Sequence, residues 1–75
     1  MRLNERNLNM KKKLIFVVEC DVEFLNANHQ PEIHHFLEGS TLVGTVLDST
    51  QDDIVIVTNN NSIGRVSLDK VTGYE

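Results

Sequence analysis

The sequence predicts an all-β fold, a five-stranded barrel with a basic N-terminal arm. Three observations carry that expectation. Apolar and polar residues alternate with a period of two across residues 14–24, the pattern of a strand with one buried and one wet face. Short apolar runs then recur at close spacing, separated by turn-forming clusters such as Ser49-Thr50-Gln51-Asp52-Asp53 and Asn59-Asn60-Asn61. The opening residues 1–9 carry Leu3 and Leu8 but no sustained helical stripe.

The elements follow in order. Leu14, Phe16, Val18, Cys20, Val22 and Phe24 share one parity, while Glu19, Asp21 and Glu23 share the other. This reads as one long strand, or as two halves of a bent ribbon. Residues 26–40 read as a long polar connection. A second strand covers residues 41–48. Residues 53–58 are apolar on both parities, as in a central strand. Asn59, Asn60 and Asn61 tolerate left-handed backbone angles and form a tight hairpin tip. Residues 62–68 make a fourth strand, with Gly64 marking a bulge or a close backbone approach. Leu68, Asp69 and Lys70 fit a single helical turn before a last strand over residues 71–75. The expected core is Leu14, Phe16, Val18, Val22, Phe24, Leu42, Val46, Ile54, Ile56, Val66 and Val71. Full burial of each such side chain contributes roughly 1.5–3 kcal/mol. A chain of 75 residues makes one domain, so residues 1–12 are assigned to the arm or a short helix and residues 13–75 to the barrel.

This layout resembles the SH3 barrel. Two segments add letters to the likeness. Phe36-Leu37-Glu38-Gly39-Ser40 is similar to the family's F-x-x-G-D approach to its second strand, and residues 64–71, GRVSLDKV, resemble its closing G-x-[IV]-P-x-x-Y-V segment. The layout extends over about residues 13–75. The resemblance implies that residues 20–38 flank the family's peptide groove. It also implies what is lost. The chain has no tryptophan, Ser67 stands at the proline position, and Lys70 stands at the tyrosine position. Aromatic faces dock a polyproline helix, so recognition of proline-rich peptides is not expected. A bacterial or phage type of SH3-like barrel, using another surface, fits better.

Charge is divided along the chain. Residues 1–13 carry five bases, Arg2, Arg6, Lys11, Lys12 and Lys13, against Glu5, whereas residues 14–75 carry ten acids against Arg65 and Lys70. An acidic body repels phosphate backbones, because nucleic-acid affinity rests largely on Lys and Arg. Only the arm is therefore a candidate polyanion contact. One cysteine, Cys20, excludes an intrachain disulfide and points to a reducing cytoplasm. The apolar run of residues 14–18 ends at Glu19, shorter than an export signal requires and far short of a membrane span.

The most conspicuous segment is residues 28–40, NHQPEIHHFLEGS, with all three histidines and the one proline. Imidazole and carboxylate are sound metal ligands, yet adjacent histidines diverge and Pro31 interrupts any helical pair. Neither a metal nor another cofactor is expected. Asp48, Asp52 and Asp53 lack the glycine and ligand spacing of a calcium loop. There is no nucleophile elbow, phosphate loop or Cys/His signature, so no catalytic residue is assigned and an enzyme is not expected. The candidate partner contacts are Glu19, Asp21, Glu23, His29, Glu32, His34 and His35. The leading expectation is a small non-catalytic protein-interaction module, a bacterial or phage regulator that binds a larger protein. Two alternatives stay open: a nucleic-acid-associated barrel using the arm, and a structural homo-oligomer formed by edge-strand pairing.

Overall fold

A computed structural model of the protein describes residues 10–72. The strands are β1 (Lys11–Phe16), β2 (Cys20–Leu25), β3 (Pro31–Phe36), β4 (Thr41–Ser49), β5 (Asp53–Val57), β6 (Ile63–Ser67) and β7 (Val71–Thr72), with a single 3-10 turn (Leu68–Lys70) between the last two. All pairings are antiparallel. They form one sheet in the order β3-β2-β6-β5-β4-β1-β7. The all-β expectation holds, but the described residues contain seven strands rather than five. No pairing joins β3 to β7, so the sheet is not closed.

Two departures account for the extra strands. The alternating run does not continue as one strand. Phe16 N–H donates to Ser40 O, and Val17 N–H donates to Lys70 O, both at 2.9 Å. These bonds hold the end of β1 against β4 and the 3-10 turn. The chain then crosses to β2, whose partners are β3 and β6. Val18 lies at the crossing and is 41% exposed, so it leaves the expected core despite its parity. Residues 26–40 are also no plain connection. They contain β3, which pairs along its full length with β2. Gly73, Tyr74 and Glu75 of the expected last strand lie outside the described residues.

The other ten expected core residues are buried, and Leu14 and Ile56 are wholly inaccessible. They come from every strand except β3. The described residues form no second layer over this apolar face, which is buried because the sheet curls over itself. β4 makes the main bend. Its first half pairs with β1 and its second with β5, and the two ladders share Thr45. The register shifts between Val46 and Asp48, leaving Leu47 as the extra residue of a bulge. Such a bulge bends a strand and increases its twist.

The approach to β4 is a tight turn. Ser40 N–H donates to Leu37 O at 3.0 Å, and Gly39 has a φ of 87°. That angle is unfavourable for a side chain with a Cβ. Just before it, the Phe36 ring stacks on Phe16 with centroids 4.3 Å apart. Phe36 thus anchors the turn, and Gly39 reverses it.

Candidate functional site

The β2–β3 hairpin collects most of the candidate contacts, and strand parity sorts them onto two faces. Cys20 opposes Phe36, Val22 opposes His34 and Phe24 opposes Glu32 on the face toward the core. Asp21 opposes His35 and Glu23 opposes Ile33 on the outer face. The adjacent histidines therefore point to opposite sides of the sheet.

On the outer face, His35 sits between two carboxylates. Its Nδ1 lies 2.6 Å from Asp21 Oδ1, and its Nε2 lies 2.5 Å from Glu19 Oε2. Only the imidazolium can donate from both nitrogens at once. Hydrogen bonding to Asp21, then to Glu19, accordingly raises the His35 pKa above its ordinary value. All three side chains are more than half exposed. Glu23 lines a shallow recess with Leu25, Val55, Ile63 and Arg65. The Arg65 guanidinium turns toward Asp53, 3.5 Å away.

The inner face is differently built. Glu32 accepts from Asn26 Nδ2 at 2.9 Å and lies 3.2 Å from His34 Nε2. The Asn26 amide, followed by His34, lowers the Glu32 pKa below the usual carboxylate value. The His34 ring meets Phe24 edge-on, with centroids 5.0 Å apart. Together with Phe36, Thr41 and Asn59 these residues line an open groove of about 570 Å³.

His29 stands apart from both clusters, in the turn that closes the hairpin. His29 N–H donates to Asn26 O, Asn26 N–H donates to Gln30 O, and His29 has a φ of 64°. The turn between β5 and β6 repeats this plan: Asn61 N–H donates to Thr58 O, Thr58 N–H donates to Ser62 O, and Asn61 has a φ of 64°. Both match the three-residue hairpin loop that ends in a left-handed residue. In each, the first side chain accepts from two backbone N–H groups ahead of it: Asn26 Oδ1 from Asn28 and Gln30, and Thr58 Oγ1 from Asn60 and Ser62.

Asn26 is the residue that sequence reasoning missed. Its signal was present, since an Asn or Thr three residues ahead of a left-handed-tolerant His or Asn marks both turns. Lys11, Lys12 and Lys13 lie in β1, opposite Thr45, Gly44 and Val43, rather than in an arm. Arg2 and Arg6 fall outside the described residues. Among the described residues, no group of three His, Cys, Asp or Glu side chains is arranged to hold a metal ion. None of their helices is long and apolar enough to cross a membrane. No known family model, curated protein or solved structure matches the chain.

Proposed function

We propose that the chain is a small non-catalytic protein-interaction module on an SH3-like scaffold, a regulator that binds a larger protein through the β2–β3 hairpin. The scaffold reading is supported by the order of elements. The β2–β3 hairpin lies between β1 and β4, a bulged strand is shared by two ladders, a tight turn joins β5 to β6, and a 3-10 turn precedes the last strand. Scaffold alone does not name a job. The observation that carries the binding role is the exposure of β3: five of its six residues are exposed, and Phe36 is half-buried.

Beside this strand stands the acidic row of Glu19, Asp21 and Glu23. Strands at a sheet edge are natural places for another chain to join. The test is affinity capture from the native host by the parent chain and by the triple variant Glu19→Gln/Asp21→Asn/Glu23→Gln. The expected result is a discrete protein retained by the parent and lost with the variant, while both stay folded. Capture that ignores the triple variant, or that yields only nucleic acid released by salt, would overturn this reading.

A further inference from the structure

Among the described residues, no element pairs with the outer edge of β3, whose backbone groups follow a defined pattern. Asn26 N–H donates to Gln30 O, so those two residues form a hydrogen-bonded pair. Bonded and non-bonded pairs alternate along an antiparallel ladder. Counting on from that pair through the β2–β3 register, Glu32, His34 and Phe36 are the bonded positions. Pro31, Ile33 and His35 are the non-bonded ones, and their backbone groups turn away from β2. Ile33 and His35 thus direct both an N–H and a C=O to the free edge, and Pro31 adds a C=O. Pro31 has no N–H to leave unpaired, which is why a proline is tolerated at the head of this edge strand.

The side chains along this edge select the occupant. Ile33, at 63% exposure, lies beside Glu23 on the outer face. Among the described residues, Glu19, Asp21, Glu23 and Asp53 are the acids of that region, and the facing cations are Arg65, already turned to Asp53, and His35, already held by Glu19 and Asp21. The face remains negative whether or not His35 carries a proton. A second copy of this chain would bring another acidic row toward this one. A strand with Lys or Arg on alternate positions would not. Neighbouring strands lie about 4.8 Å apart, so a residue paired opposite Ile33 stands roughly 10 Å from the backbone of Glu23. A long basic side chain covers that span by laying its methylenes over Ile33, with its charge at the carboxylate.

We infer that β3 takes up an extended basic peptide segment of a partner protein as an added antiparallel strand, joined through the edge groups of Ile33 and His35. This inference rests on the interaction role proposed above and names its binding mode. Backbone pairing supplies the attachment, and the acidic row supplies selectivity. The occupant has no need of proline or aromatic residues.

The probe is a blocked synthetic peptide of about seven residues, a typical strand length, alternating lysine with threonine. Three companions accompany it: the same peptide N-methylated at alternate residues, its glutamate counterpart, and the triple variant Glu19→Gln/Asp21→Asn/Glu23→Gln of the protein. The lysine peptide should bind, and the amides of Ile33 and His35 should gain protection from hydrogen exchange. The N-methylated peptide and the triple variant should each raise Kd by at least about tenfold, and the glutamate peptide should not bind. Equal binding of the N-methylated peptide overturns strand addition and leaves only charge attraction. Failure of the lysine peptide overturns the inference. Protection of both amides in a peptide-free dimer, detected by sedimentation, makes a second copy the occupant and also overturns it. The two readings fail separately. A partner captured from the host that depends on the acidic row keeps the interaction role even when the lysine peptide does not bind.

Discussion

The ring of Phe24 lies across Gly64, its direct partner in the β2–β6 ladder. A Cβ built on Gly64 would come within 2.7 Å of two ring carbons. The glycine is needed here for space rather than for an unusual backbone angle. It lets an almost fully buried aromatic ring cover the backbone of the neighbouring strand.

Gly64→Ala should therefore destabilise the protein by about 1–3 kcal/mol, the usual cost of overpacking a core. Chemical unfolding measures it. Phe24→Leu should also destabilise, through lost burial. The double variant should cost clearly less than the sum of the two, because the clash needs both groups. Additive effects would place the cost of Gly64→Ala elsewhere.

His29 yields the opposite expectation. Its φ of 64° lies in the left-handed region, where L-residues carry a penalty and glycine does not. His29→Gly should leave stability unchanged or raise it by up to about 1 kcal/mol, offset in part by the greater freedom of glycine in the unfolded chain. His29→Val should lower it by about 1–2 kcal/mol. Asn61, at the same place in the other turn, should respond alike. Loss of stability in His29→Gly would mean that the imidazole makes a contact worth more than the backbone penalty.

These turns help explain what could be read in the sequence and what could not. Ten of the expected core residues are buried, and across residues 14–24 alternation reports the buried face directly. Val18 failed because parity says nothing about where a strand stops. The stop is set by Phe16 and Val17 pairing with Ser40 and Lys70, residues distant in sequence. Strand β3 was hidden for a different reason. Pro31-Glu32-Ile33-His34-His35-Phe36 has no apolar alternation and opens on a proline. Its strand form comes from the turn before it and from the edge that β2 offers, rather than from its own propensity. The divergence of His34 and His35 was legible. The meeting of His35 with Glu19 and Asp21 was not, since it needs the β2–β3 register.

Asn26 holds the hairpin turn through two acceptor bonds and reaches Glu32 with its amide. Asn26→Ala should cost about 1–2 kcal/mol, because the N–H groups left behind are exposed to water and regain partners there. The same variant should let the Glu32 pKa rise toward its ordinary value, since the Asn26 amide is the main cause of its depression. The Glu32 contribution to stability is present above the unfolded carboxylate pKa and is lost as pH falls through the lower folded one. The parent should therefore lose part of its advantage over Asn26→Ala below about pH 4.5. Carboxyl NMR titration of Glu32 in both proteins checks the cause directly.

The His35 clamp gives the chain a second pH dependence, of opposite sign. Its folded pKa is raised, first by Asp21 and then by Glu19. The stabilisation is fully present below the unfolded histidine pKa and is lost as pH rises through the higher folded one. As pH rises above about 6.5, the ordinary histidine value, the parent should thus lose stability relative to His35→Gln, which keeps a polar side chain but cannot carry the charge. The change should be small, because all three side chains are solvent-exposed and the pairs are screened. It should shrink further in high salt. Glu19→Gln and Asp21→Asn should each bring the imidazole titration back toward the ordinary histidine value, with Asp21→Asn having the larger effect. An imidazole that titrates identically in the parent and in both variants would remove the clamp as a feature of the protein in solution.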